Sequence, residues 1–445
     1  MNANEISRYG KRFVQYFWDP LPANESTEAI WCLGQRYDSH PIRSPQHGRD
    51  LSSTSDTSSP PSSVPSAVDS AVSSSKETET DTSSIDIVER TESAERDEAL
   101  SKGWPGAFVD DIETRIWLTY RNGFPTIAKS TDPAALSAMS FATRIKQLGN
   151  QSGFTSDTGW GCMIRSGQSL LANTLAMLEL GREWRRGDLV DNEQKLLGLF
   201  ADDPAAPFSI HRFVDYGASA CGKHPGEWFG PSATARCIQH LTNNHKASNL
   251  RVYVRDDSDI YGDSFLATAR SSSATFQPTL ILLGTRLGID RINPVYHCAL
   301  SRTLTCSQSV GIAGGRPSSS HYFVGVQGNS FFYLDPHHTR PLLHKEPKLE
   351  DVASCHTRRL RKIDVLEMDP SMLLGFLIRS EAEWREWRAW ISNAESVKGT
   401  DGRGKPIVHV HDHEPSFGEE ARGQRADALD EVVSCEDSDD ETVVS

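Results

Sequence analysis

Apolar positions recur with a helical period in the first half of this chain and with a shorter one in the second. From 162 to 180, CMIRSGQSLLANTLAMLEL places Ile164, Leu171, Leu175 and Leu178 on one stripe, and Gly181 supplies a stop. That spacing predicts the strongest helix of the chain. Residues 111 to 121, DIETRIWLTYR, set Ile112, Ile116 and Leu118 to Tyr120 near helical spacing until Asn122-Gly123 breaks it. Further helical pattern runs from 187 to 241, interrupted by a loop around Cys221 to Pro231. Leu250 to Val254, Thr279 to Leu283, His321 to Val326 and Phe331 to Leu334 are instead short β-rich runs bounded by turn residues. Asp369-Pro370-Ser371 then opens a short helix over Met372 to Ile378, and Ser380 to Ile391 reads as another. In the latter, Trp384, Trp387 and Trp390 form a stripe that belongs in a core. Helices first and strands later predict an α+β layered fold.

The patternless stretches divide the chain. Residues 1–37 are rich in aromatics and carry a strand-like AIWCLG run, so they are expected to pack on the body. Residues 38–103 read as a disordered insertion: within 51–100 stand 15 Ser and 6 Thr, too little apolar surface to offset the entropy of ordering. The body is expected over 104–398 and an acidic solvated tail over 399–445. Charge follows this division. The total is −14, but 51–100 carries 11 acidic and 3 basic residues and 412–445 carries 12 and 2, which leaves the remainder slightly positive. Nucleic acid is therefore not an expected partner. No apolar leader or 18-residue apolar run occurs, so neither secretion nor membrane spanning is expected. The eight cysteines lack paired or dense spacing, the usage of a reducing compartment.

One cysteine stands apart. In TSDTGWGCMIRSGQ, Cys162 opens the strong helix behind a turn containing Gly159 and Gly161. Free N–H groups and the helix dipole there favour a thiolate, and the same N–H groups can serve an oxyanion. From position alone, a small buried apolar cysteine fits equally well. In FFYLDPHHTRP an apolar strand ends in Asp335-Pro336-His337, where residues two apart in extended chain share a face. Asp335 can then fix the tautomer of an imidazole that deprotonates Cys162; His338 points the other way. Alone, the same residues also read as an Asp-Pro turn with exposed histidines.

Together, GWGCM-R-GQ at 159–168, R-x-W-x-T-Y-R at 115–121, GEWFGP at 226–231, GIAGGRPSSSHYF at 311–323, YLDPH at 333–337 and DPS-x-x-x-GF at 369–376 resemble the autophagins. These are cysteine proteases that process the ubiquitin-like modifier of autophagy. The resemblance spans about 29–37 and 104–392, in the family's order. It implies a papain-like fold with a small accessory subdomain, with Cys162 as nucleophile, Asp335 as orienting carboxylate and His337 as base. Tyr120 would assist the oxyanion site, Trp228 would lie over the substrate cleft, and Gly314 and Gly315 would hinge a regulatory loop over 314–319. The implied substrates are the modifier's free precursor and its phosphatidylethanolamine conjugate, with no cofactor and no metal. Membrane contact would be peripheral and carried by the substrate. The implied setting is the cytoplasm and the site of autophagosome assembly, with the nucleus as a further compartment.

Weaker signals each have a plainer reading. Trp18-Asp19-Pro20-Leu21 fits a W-x-x-L peptide that adds to a sheet edge, but docking on the protein's own core is preferred. His409, His411 and His413 alternate as chelating residues do, yet without support they read as solvent-facing. Cys355 and Cys435 are a candidate redox pair, and Ser59-Pro60 a candidate phosphorylation site. Against the protease stand a deconjugase of another ubiquitin-like protein and a non-catalytic scaffold that binds the modifier. A transglutaminase-like acyl transferase is disfavoured, because nothing suggests a calcium site.

Overall fold

The computed structural model describes residues 21–39, 95–133, 153–270, 275–316, 319–393 and 402–415, with a few single positions between them. Its centre is a mixed sheet. Strands β1 (Ile30–Cys32), β2 (Gln35–Tyr37), β5 (Arg251–Arg255), β7 (Thr279–Arg286), β8 (Ser309–Arg316), β9 (Ser319–Gln327), β10 (Ser330–Leu334), β12 (Lys362–Asp364) and β13 (Ser371–Ile378) belong to it. The order is β12-β10-β9-β8-β13-β7-β5, with β1 paired to β9 and β2 to β1. Two smaller sheets join β3 (Arg121–Ile127), β4 (Phe154–Ser156) and β11 (Arg340–Pro341), and β6 (Asp259–Tyr261) with β14 (His409–His411).

Helices cover the sheet. α1 (Gly106–Thr114) packs near β1, and α2 (Cys162–Glu179) crosses β8 and β9. α3 (Val190–Gly198) and α4 (Ile210–Ala220) flank it, while α5 (Pro231–Asn244) lies on β5, β7 and β13. α6 (Gly262–Ala269) sits by β5, α7 (His297–Thr303) and α8 (Leu349–Ala353) are short, and α9 (Glu381–Ile391) packs on β13. Within α2 the residues from Cys162 to Met177 are all buried, so the helix is a core element and not a surface one. It can approach the sheet closely because Gly375 has no Cβ, which would meet Val310 Cγ2 at 2.7 Å and Leu170 Cδ1 at 3.2 Å. The helix ends where expected, with Gly181 at φ 91°.

Four local expectations are corrected. Met372 to Ile378 is a strand, not a helix. The run SMLLGFLI is buried at every position and hydrogen-bonds β7 on one side and β8 on the other, where continuous apolar character suits a central strand as well as a helix. Asp369 accepts from the Ser371 amide at 2.7 Å, so the Asp-Pro-Ser signal belongs to a turn before that strand.

In 111–121 the helix stops at Thr114, and 116–120 run extended because the body claims their amides. Ile116 N–H donates to Asn173 Oδ1, Leu118 N–H to Ser169 Oγ, and Trp117 and Tyr120 N–H to the carbonyls of Cys355 and Pro336.

Within the stretch expected to be disordered, 95–101 is helical. Ala99 is fully buried there, and Arg96 pairs with Asp110 at 2.9 Å. Past 399, Ile407 and Val408 are buried and β14 pairs in parallel with β6. Arg388–Asp412 at 2.6 Å and Arg255–Glu414 at 2.8 Å fasten that segment.

The remaining elements match their patterns. Trp384 and Trp387 are buried, and Trp390 is partly so. Leu21 docks into the core, whereas Trp18, Ser59 and Cys435 lie outside the described residues. Among the described residues no helix is long and apolar enough to cross a membrane.

Candidate active site

Three segments far apart in sequence meet at the N-terminus of α2. Its first residue is Cys162, and the turn before it is fixed from within: Trp160 and Gly161 N–H donate to the Asp157 carbonyl, and Gly159 holds φ 96°. A Cβ on Gly161 would run into the Asp157 carboxylate, so this position tolerates only glycine.

Asp157 is anchored in turn by charge. Arg165 Nε donates to its Oδ2 at 2.8 Å and Arg165 Nη2 to Asp202 Oδ1 at 2.8 Å, with all three side chains buried. The second oxygens accept from the amides of Arg121 at 2.6 Å and Leu343 at 2.8 Å. Arg165→Met leaves two carboxylates buried without their cation. The expected loss is about 3–5 kcal/mol of folding stability, read as a lower urea midpoint. A midpoint unchanged from the parent would show that water reaches these groups.

The second segment is the end of β10. Asp335 Oδ1 stands 2.6 Å from His337 Nδ1 and accepts the His337 backbone N–H at 3.1 Å, so the expected extended i, i+2 pair closes on itself. Trp117 Nε1 donates to the Asp335 carbonyl at 2.7 Å, which holds the strand end in place. His338 turns away and stacks obliquely on Trp117, 5.9 Å between centroids.

The third segment is the extended 116–120 run, which delivers Tyr120. Its ring meets His337 edge-on at 5.3 Å, and its hydroxyl accepts from the Gly159 amide and reaches the Cys162 sulfur.

Cys162 thus has hydrogen-bond partners in the His337 imidazole, the Ser320 backbone amide and the Tyr120 hydroxyl. Burial works against its ionisation, but the hydrogen bond and charge of His337 outweigh it and pull the thiol below its ordinary value. For His337, burial disfavours the imidazolium, and the charge of Asp335 more than reverses this, lifting its pKa to about 10. Asp335 is likewise penalised by burial, yet His337 holds its carboxyl far below the usual range. His337 is thus held as an imidazolium backed by the Asp335 carboxylate, and its charge biases Cys162 toward the thiolate.

Two residues of β9 also line this site. Ser319 Oγ lies 3.2 Å from His337 Nε2, and His321 Nε2 lies 3.8 Å from Asp335 Oδ1. Ser320 Oγ, one residue between them on β9, turns to α2 and donates to Met163 Sδ and Ser166 Oγ. This is the two-residue alternation of a strand, visible in the SSSHYF run once it is read as β9. Burial drives the His321 pKa down to about 3, so this ring is neutral.

Gly314 and Gly315, expected as a lid hinge, are buried in β8 and laddered to His321 and Ser320 of β9. A Cβ on Gly314 would stand 2.8 Å from Met372 Cβ, so the glycine serves close packing here. Trp228 lies half-buried before α5 and packs on the core.

Metal ligation finds little support in the geometry. His321, Asp335 and His337 cluster, but donors 2.6 Å apart share a proton, whereas two ligands of one tetrahedral zinc stand about 3.3 Å apart. His411 pairs with Asp259 at 2.9 Å and His413 with Asp263 at 3.4 Å. Cys355 is fully buried beneath Arg121, whose Nη2 is 3.3 Å from its sulfur, so it is not the accessible thiol a redox pair needs.

The peptidase C54 catalytic domain profile matches residues 105–389. A Botryotinia fuckeliana protein named probable cysteine protease atg4 is 54% identical over 457 aligned residues, covering all of both chains. A Pyricularia oryzae protein named cysteine protease ATG4 is 48% identical over 99% of this chain and 98% of its own. Cysteine protease 1 of Neurospora crassa is 48% identical over 98% and 92%. With a thiol, an imidazole and a carboxylate assembled on a mixed helix and sheet scaffold, and with these relatives along its full length, the chain belongs to the Atg4, or autophagin, family of papain-like cysteine proteases, peptidase C54.

Proposed function

We propose that this protease cleaves a ubiquitin-like autophagy modifier after its C-terminal glycine, exposing that glycine for conjugation to phosphatidylethanolamine. It also hydrolyses the glycine–lipid amide to release the modifier from membranes. The observation that carries the chemistry is the Cys162–His337–Asp335 line, with Asp335 2.6 Å from the far nitrogen of the imidazole. The Cys162 thiolate attacks the glycine carbonyl, and the His337 imidazolium gives its proton to the departing amine as the C–N bond breaks. His337 then takes a proton from water, which attacks the thioester and restores the thiol. Asp335 keeps the imidazole oriented throughout.

The tetrahedral oxyanion is stabilised by N–H groups at the start of α2 and by the Tyr120 hydroxyl, which supports its role because it already reaches the sulfur. Trp228 covers the cleft that admits the substrate's C-terminus. The enzyme acts in the cytoplasm and meets the membrane only through its lipidated substrate.

The test incubates the full chain with a modifier precursor carrying a C-terminal extension and, separately, with lipidated modifier on vesicles. A product ending at the glycine in both assays is the expected result. Cleavage elsewhere, or of other ubiquitin-like proteins alone, would redirect the reading to a different deconjugase.

A further inference from the structure

The carboxylate that orients His337 is held mostly by His337 itself. Asp335 Oδ1 takes the imidazole Nδ1–H at 2.6 Å and the backbone N–H of the same residue at 3.1 Å. A second imidazole approaches that oxygen from a different element: His321 of β9 places its Nε2 3.8 Å away. This ring is 4% exposed and fixed by packing. Tyr333 meets it edge-on at 4.6 Å, and its strand position is laddered to Gly314 of β8. His321 Nδ1 is buried without a hydrogen-bond partner, whereas Asp335 and the Ser319 carbonyl are acceptors near the ring. The single proton of the neutral imidazole therefore belongs on Nε2. Asp335 and His337 face His321 from the strand end, Tyr333 from β10 and Arg316 from β8. Of these charges only that of Asp335 favours a second proton on the ring, and burial outweighs it.

We propose that His321 is a positioning residue for the cleavage step, its Nε2–H holding the Asp335 carboxylate whenever His337 is neutral. The inference rests on the Cys162–His337–Asp335 mechanism proposed above. While His337 is an imidazolium, its charge satisfies Asp335, and 3.8 Å is longer than a hydrogen bond. Once His337 has given its proton to the departing amine, the buried carboxylate keeps only uncharged donors, and a buried anion short of donors is costly. A closing of about 1 Å brings Nε2–H into range. No bond at Nδ1 resists that movement. His321 gives up no proton in this step. By supporting Asp335 it favours the neutral state of His337, and so eases delivery of the proton to the leaving group.

His321→Leu removes the donor at similar volume, and His321→Gln keeps an amide N–H near the Nε2 position. In His321→Leu, single-turnover release of the precursor's C-terminal extension is expected to slow roughly 10 to 100-fold, the contribution of one hydrogen bond to a charged group. Precursor affinity is expected to stay the same, and His321→Gln to recover most of the rate. The NMR titration of the His337 imidazole, which needs no substrate, is expected to move to higher pH in His321→Leu, opposite to the effect of removing the Asp335 charge. Far-ultraviolet circular dichroism reports that each variant is folded. If His321→Leu does not fold, His321→Asn, whose amide overlies Nδ1, takes its place with the same expectations. Equal losses with and without the amide of Gln overturn the role, as does a His337 titration that is unmoved or shifted down. A parent chain that leaves the precursor intact counts against the proposed substrate instead, and the His337 titration then decides the role of His321.

Discussion

Cys162→Ala is expected to reduce turnover of the modifier precursor by roughly 10⁵ to 10⁶-fold, to the level of the uncatalysed background. Binding of the precursor is expected to persist. Three buried thiols elsewhere in the body, Cys32, Cys306 and Cys355, are poor substitutes. Burial pushes the Cys306 thiol up to about 12, and burial is also the main force raising those of Cys32 and Cys355, so each stays protonated in the core. None begins a buried helix with an imidazole on its sulfur. Alanine keeps the helix N-terminus and loses one small buried atom, so folding stability should fall by about 1 kcal/mol or less. Single-turnover cleavage, precursor affinity and the urea midpoint separate these effects. Residual cleavage within about tenfold of the parent would place the nucleophile elsewhere, and loss of affinity together with a collapsed midpoint would mean the turn had unfolded.

Local pattern was enough for elements whose partners lie close by or whose period is strong. The α2 helix, the Asp335-Pro336-His337 strand end and the tryptophan stripe of α9 all read correctly from spacing, because each is amphipathic or bounded by turn residues. The failures share one cause. SMLLGFLI has no period, since β13 is apolar on both faces, and only its neighbours β7 and β8 decide between strand and helix. The 116–120 segment has helical spacing but gives its amides to Asn173, Cys355, Ser169 and Pro336, partners between about 50 and 240 residues away that no local reading contains. Ser319 and His321 were hidden in a glycine- and serine-rich run that resembles a loop until Gly314 and Gly315 are seen to be packed against Met372 and β9. Residue types and spacing offered Cys162, Asp335 and His337 only as one of two readings each, and it was the resemblance that joined them; that Tyr120 and the Ser320 amide also reach the sulfur was not legible.

Asp335→Asn is expected to lower kcat by about 10³ to 10⁴-fold while leaving the fold in place. The amide is nearly the same shape, but it removes the charge that lifts the His337 pKa to about 10 and that keeps the imidazolium beside the Cys162 thiolate. The pH signature follows from the directions. In the parent, Cys162 ionises below an ordinary thiol, so its alkylation by iodoacetamide should have a midpoint below about 8.5. In the variant His337 loses its proton at lower pH, the thiolate loses its counter-charge, and that midpoint moves up while the alkaline limb of kcat moves down.

Stability carries the same sign. Asp335 has a depressed folded pKa, so its contribution is present above about pH 4 and is lost as pH falls through the folded value. His337 has a raised one, so its contribution is complete below about pH 6.5 and is lost as pH rises through about 10. The stability difference between parent and variant should therefore be greatest between about pH 4 and 6.5 and should shrink on both sides, read from urea midpoints at pH 5.5 and 9.5. A difference that is flat across that range would show that Asp335 positions His337 without charging it. The loss in kcat would then have to come from tautomer and geometry alone.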